Sequence, residues 1–218
     1  MTIDFLRSLQ LADSGFPTGN FGYSWGLETA VYKGLLTKSN FSLWLESEML
    51  DRWAFFDRII LSESWSKNIH NFLLWEKKID KFFWSKKQKK DSIGAGRVYL
   101  ESLNRFDSKK SSDLLKMLNG NKIYGHLSAL QGITYKRMGF SRYETMLIGA
   151  HVNSQSLISA AVRLNIVSSM SGQIYYSELI PKLADLCSRK CCEDDIGGFF
   201  PSGEIALLNF KPNSLFVN

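Results

Sequence analysis

The chain has 218 residues, 44% of them hydrophobic and 13% aromatic, with six Trp and fifteen Phe. That composition excludes disorder and supports a packed core rich in aromatic rings. The net charge of +6 is concentrated in WEKKIDKFFWSKKQKKD, residues 75–91, and only four prolines occur, which favours helices over a loop-rich or all-β design.

The three cysteines, Cys187, Cys191 and Cys192, are odd in number and crowded together. They argue against a secreted disulfide framework and for a reducing compartment. The N-terminus, MTIDFLRSLQLADSG, has no basic region ahead of an apolar stretch and does not read as a signal peptide. No apolar run approaches the ~18–20 residues of a membrane span. The expectation is a soluble, cytoplasmic protein.

In chain order, Ile3, Phe5, Leu6, Leu9 and Leu11 share one face of a helix over 3–12. The stretch LADSGFPTGNFGYSWGLE, residues 11–28, then breaks it with four glycines and a proline. Ser24 is the expected cap of a helix through Leu27, Ala30 and Val31, with Glu28 in its first turn and a stop near Gly34. Residues 40–68 form the longest periodic segment, with apolar groups three or four apart from Phe41 to Ile60. Helices are expected over 69–84, ending in the lysine run, and over 93–106. A polar loop or frayed end is expected over 104–112, then a short helix from Leu114 to Leu118 stopped by Asn119-Gly120.

A helix over 126–138 leads to Gly139. Ser141 then caps a helix over 142–167, with Glu144 completing a capping box. A last helix spans 173–190, where Pro181 predicts a kink or a break. Residues from 194 to 218 have little period and read as an extended tail. The whole chain, 1–218, reads as one all-α domain of roughly eight to ten helices, with no internal repeat and no linker.

Constellations for chemistry are sparse. No lysine follows Gly19, Gly22 or Gly26 at a phosphate-loop spacing, and no strand precedes them, so both nucleotide-binding fingerprints fail. A tight turn with close helix packing explains the glycines, and Asn20 tolerates the left-handed backbone nearly as glycine does. His70, His126 and His151 lie at no metal-ligand spacing from one another, from Cys or from acids, and read as core or surface histidines. CSRKCCEDD, residues 187–195, offers thiols but no second pair for a closed metal site. The lysine run, interleaved with Trp75, Phe82, Phe83 and Trp84, fits either a nucleic-acid surface or an acidic protein partner. No nucleophile triad stands out.

The stretch LQLADSGFPTGNFGYSWGLE, residues 9–28, resembles the N-terminal signature of the urease accessory protein UreF family, approximately L-Q-L-x-D-S-x-F-P-T-G-G-F-x-[HY]-S-x-G-L-E. Leu9, Gln10, Leu11, Asp13, Ser14, Phe16, Pro17, Thr18, Gly19, Phe21, Tyr23, Ser24, Gly26, Leu27 and Glu28 fit it, and Asn20 replaces a glycine. Three later segments are similar in order along the chain. SIGAGRVYLESL, residues 92–103, is similar to the family's small-residue segment ending in G-R-x-L/Y-L. YGHLSALQGITYKRMGF, residues 124–140, keeps Gly125, His126, Gly132 and Gly139, with Ser128 where a proline is common. SLISAAVRLNIVSSMSGQ, residues 156–173, keeps Ser159, Ala160, Ala161, Arg163, Leu164 and Gln173. In the tail, Pro201, Ile205, Leu215 and Phe216 correspond to the family pattern, while Glu204, Phe210 and Ser214 replace its Asp, His and Arg.

The resemblance implies an all-α scaffold that dimerises. It implies partners, UreD/UreH and the GTPase UreG, in a complex that loads nickel into apo-urease. It implies no catalytic and no metal-ligand residues and no cofactor held by this chain. The matching residues named above would be structural or partner-binding, with Phe16, Phe21 and Tyr23 pinning the glycine-rich turn to the body. A basic helical nucleic-acid-binding module is the alternative that the lysines alone suggest.

Overall fold

A computed structural model describes residues 2–13, 16, 26–83 and 85–197. The fold is all-α, as the periodicities require. Its helices are α1 (Thr2–Ala12), α2 (Leu27–Tyr32), α3 (Phe41–Ser47), α4 (Arg58–Ser66), α5 (Ile69–Phe82), α6 (Lys86–Phe106), α7 (Ser108–Asn119), α8 (Leu127–Arg137), α9 (Arg142–Arg163) and α10 (Ser169–Ser188). Between α3 and α4 the helix does not stop. It widens into a π-helical stretch over Glu48–Asp57, so the long periodic segment is one continuous rod. A short 3₁₀ turn, Glu193–Asp195, follows α10.

Two hydrophobic cores share the helices α4 and α9. One joins Phe72 and Trp75 of α5, Tyr99 and Leu103 of α6, Leu114 of α7 and Leu130 of α8. The other joins Leu27 of α2, Phe41 of α3, Trp53 of the π-helical stretch and Leu183 of α10. Helix α9 supplies Ile148 and Val152 to the first core and Met146, Leu157 and Ala161 to the second. It is buried around most of its circumference, which is why its hydrophobic pattern is not a single stripe. Helices α4 and α8 cross closely at Gly132, where a β-carbon would stand 2.3 Å from the Leu61 carbonyl oxygen.

Local punctuation behaves as its chemistry dictates. Ser141 accepts from the Glu144 N–H at 3.2 Å, and the Glu144 carboxylate accepts from the Ser141 N–H at 2.7 Å, the reciprocal box expected. Gly139, at φ 96°, ends α8 in a Schellman arrangement, with Phe140 N–H donating to Tyr135 O and Gly139 N–H to Lys136 O.

Several boundaries differ from the sequence expectation. Helix α9 ends at Arg163, before residue 167, because Asn165 adopts a left-handed φ of 57° and forms the same motif with Ile166 and Ala161. Ser168 then caps α10, which starts ahead of residue 173. The lysine run does not end α5. Helix α5 stops at Phe82, and Lys86 to Lys90 open α6, capped by Ser85. The polar stretch 104–112 is helical except at Asp107, because Leu114, Leu118 and Ser111 bury one face and the Ser111 hydroxyl donates to Asp107 O at 2.9 Å. Helix α10 runs unbroken through Pro181. Its buried stripe of Leu179, Leu183 and Cys187 holds it across the missing N–H donor.

Helix α2 has Gly26, at φ 88°, at its N-cap with no side-chain cap bond, and Ser24 lies outside the described residues. The tail beyond Gly197 also lies outside them.

Candidate functional site

Of the residues singled out by resemblance, Ser14, Pro17, Thr18, Gly19, Phe21, Tyr23, Ser24, Pro201, Leu215 and Phe216 lie outside the described residues. Asp13, Phe16, Gly26, Leu27, Glu28, Gly125, His126, Ser159 and Arg163 are described, and they fall in three places.

The first is where the end of α1 meets α6. Phe16 N–H donates to Asp13 O at 3.0 Å, and the Phe16 ring meets Phe106 edge-on at 6.1 Å. This contact fixes the chain leaving α1 to the body.

The second is a surface groove between α9 and α10. Leu27 is fully buried in the same core as Ile158 and Ala161, which brings the start of α2 against α9. Beside it, the Glu28 carboxylate acts on the Arg163 guanidinium. Burial lowers Arg163 from its ordinary pKa and Glu28 opposes that shift. The groove measures about 380 Å³ and is lined by Gln155, Ile158, Ser159, Val162, Arg163, Ser169 and Gln173. Gln173 Nε2 donates to Gln155 Oε1 at 3.1 Å across the two helices. On α10, Met170 and Ile174 are 72% and 51% exposed. A guanidinium, two amides and two hydroxyls thus stand beside exposed apolar side chains, the mixed chemistry that a partner surface can use.

The third place is sealed from solvent. His126 is 1% exposed and sits at the N-cap of α8. Its ring stacks on Phe83 at 4.6 Å, its Nδ1 lies 3.4 Å from Ser92 Oγ, and its Nε2 lies 3.4 Å from Asp80 Oδ1. Burial pushes its pKa down to about 4 against the pull of Asp80, so the ring is neutral at pH 7. Just below, the buried Glu76 carboxylate accepts the N–H of Tyr124 at 2.9 Å and of Gly125 at 2.8 Å. Burial nonetheless raises Glu76 to about 7, because those donors only partly replace water. Two of the segments that resemble the family meet here, since Gly96 of α6 lies directly against the Gly125 carbonyl. The group orders the turn that starts α8. His126 and Glu76 are both buried at this junction of α5, α6 and α8.

A fourth feature carries only a faint sequence signal. In the π-helical stretch, Arg52 Nε donates to Glu48 Oε2 at 2.7 Å, and Arg52 also pairs with Asp57. Ser128 Oγ, standing where the family pattern has proline, donates to Asp57 Oδ1 at 2.9 Å. The π turns place Glu48, Arg52 and Asp57 on one side of the rod, a register that an α-helical reading does not give. Arg58 then donates to Leu186 O at 3.0 Å, tying the rod to the end of α10.

Among the described residues, no group of three or more His, Cys, Asp and Glu side chains is placed to hold a metal. Cys187 and Cys191 are buried, Cys192 is exposed, and burial raises the Cys187 thiol to about 12. That shift makes Cys187 a poor nucleophile. Among the described residues no helix is long and apolar enough to cross a membrane.

The described residues form a helical body in which Ser159, Arg163 and Gln173 of one motif segment line a groove between α9 and α10. The UreF family model matches residues 36–180. The chain is 23% identical to urease accessory protein UreF of Lachnoclostridium phytofermentans, over 88% of each chain. It is 25% identical to that of Bacillus sp., over 94% of each. It is 28% identical to an uncharacterized urease accessory protein UreF-like of Schizosaccharomyces pombe, over 74% of this chain and 72% of that one. The chain belongs to the UreF family, a family of accessory proteins rather than of enzymes.

Proposed function

We propose that this protein is a cytoplasmic, homodimeric scaffold of urease maturation, built as one domain over 1–218. It joins UreD/UreH and the GTPase UreG and passes nickel into apo-urease, holding no cofactor of its own. Nickel is cargo here, and GTP hydrolysis belongs to the partner. Family membership supports the accessory role. The observation that carries the scaffold reading is the groove between α9 and α10, lined by Ser159, Arg163 and Gln173 of one motif segment, with Glu28 of the N-terminal motif acting on Arg163. Residues with no shared catalytic chemistry gather there, as a partner-binding surface requires. Leu27, buried in the core with Ile158 and Ala161, sets the start of α2 against α9 and so places Glu28 beside Arg163.

Co-expression with the host's UreD/UreH and UreG, followed by light scattering after size exclusion, tests the reading. A complex containing two copies of each chain is the expected result. Folded partners that elute apart from this chain would overturn it.

A further inference from the structure

Residues 75–91 carry seven lysines against three acids. The fold sorts these charges by depth. All three acids turn inward: Glu76 is 0% exposed, Asp91 is 5% exposed, and the Asp80 side chain is 13% exposed. From below they hold Lys87, which pairs with Asp91 at 2.8 Å, and Lys89, which pairs with Asp80 at 2.7 Å. Lys78 reaches Glu193 at 2.9 Å. Lys77, Lys81, Lys86 and Lys90 are exposed and make no ion pair among the described residues. The outward layer of this corner is therefore cationic, more strongly than the net charge of the segment indicates.

Local electrostatics oppose this arrangement. Lys77 and Lys81 are one turn apart on α5, and Lys86 and Lys90 are one turn apart on α6, so like charges repel within each pair. Lys86 to Lys90 also crowd the positive end of the α6 dipole, whose first turn has no acid. The Lys89–Asp80 bridge ties the end of α5 to the start of α6, so both pairs occupy one corner of the molecule. Among the described residues, the only partial compensation shown for these four is the field of Asp91 on Lys90, and Asp91 is already paired with Lys87.

We propose that this corner is a docking face for a protein partner with clustered carboxylates, within the maturation assembly. The inference rests on the scaffold reading above. Charge complementarity selects an acidic surface. The aromatic rings favour protein over nucleic acid. Trp75 is 3% exposed, Phe83 is packed between His126 and Phe56, and Lys89 Nζ lies over the ring of the 44% exposed Tyr124 at 5.7 Å, so the described rings do not form a row of open faces on which successive bases could stack.

The test compares the full-length chain with a variant carrying Lys77→Gln, Lys81→Gln, Lys86→Gln and Lys90→Gln, each co-expressed with the host's UreD/UreH and UreG. Affinity is read from about 50 to 300 mM NaCl, a range over which exposed charges become screened. A 20-nucleotide single strand is titrated in parallel. The neutralised variant is expected to bind its protein partners about tenfold more weakly at low salt and to lose most of the salt dependence. A fourfold Lys→Arg variant should retain both. Equal affinity and equal salt slope in wild type and the Gln variant would overturn the docking face and leave the scaffold standing. No assembly by the wild type would overturn both. Single-strand binding tighter than partner binding, and lost in the Gln variant, would reassign the face to nucleic acid.

Discussion

The carbonyl oxygen of Gly125 lies 1.9 Å from the point where a β-carbon on Gly96 would stand. Helix α6 and the turn into α8 can approach this closely only because Gly96 carries no side chain. Gly125 also holds φ at 83°, and a β-carbon there would come within 2.6 Å of Leu118 Cδ1. Gly96→Ala forces backbone apart from backbone and is expected to cost about 3 kcal/mol. Urea unfolding followed by far-UV circular dichroism reads the loss directly. An unchanged midpoint would mean that the two segments do not meet.

Glu76 and His126 make opposite pH-dependent contributions to stability. The Glu76 carboxyl is raised from 4.5 to about 7 in the fold, so the folded state binds its proton more tightly than the unfolded state. Its contribution is greatest below pH 4.5 and falls as pH rises through 7. His126 is lowered from 6.5 to about 4, so the unfolded state takes up the proton first. Its contribution is present above pH 6.5 and is lost as pH falls towards 4. Between about pH 4.5 and 6.5 the two slopes oppose each other. Glu76→Gln should expose the histidine slope, with stability rising with pH across that window. His126→Asn should expose the carboxyl slope, falling with pH. Melting temperatures at half-unit pH steps check both signs.

Ser128 links the start of α8 to the ionic chain of the π-helical stretch through Asp57. Ser128→Ala removes one donor to a carboxylate that keeps Arg52 as a partner. The expected loss is about 1 kcal/mol. Thermal unfolding reads it, and a double-mutant cycle with Asp57→Asn should show coupling of the same order.

Arg163 lines the groove and Glu28 acts on it, so Arg163→Glu reverses a charge of the proposed partner surface without entering a core. The variant should keep its helix content and its melting temperature within a few degrees, and should fail to assemble with UreD/UreH and UreG. Normal assembly would remove the groove from the partner surface.

Much of the fold is legible residue by residue, and the reason is range. The Ser141–Glu144 box and the turn at Gly139 are closed by bonds spanning a few residues, so the sequence that contains them also decides them. Where the expectation slipped, a local signal was outweighed by the apolar pattern. Ser85 caps α6, but Lys86 to Lys90 have no hydrophobic periodicity and read as the end of the preceding helix. Asn165 closes α9 in place of a glycine.

By itself the sequence determined most of the helical segments, the cap at Ser141, the stop at Gly139 and the family, because each is written in neighbouring residues or in ordered motifs. Only the tertiary structure decided that Glu76 takes up N–H groups 48 and 49 residues away. It alone set Gly96 against Gly125, drew Glu28 to Arg163, and turned Asp80 and Asp91 beneath the lysines. Periodicity states which face of a helix leaves water, while the partner that this face meets depends on how all the helices fill one volume together.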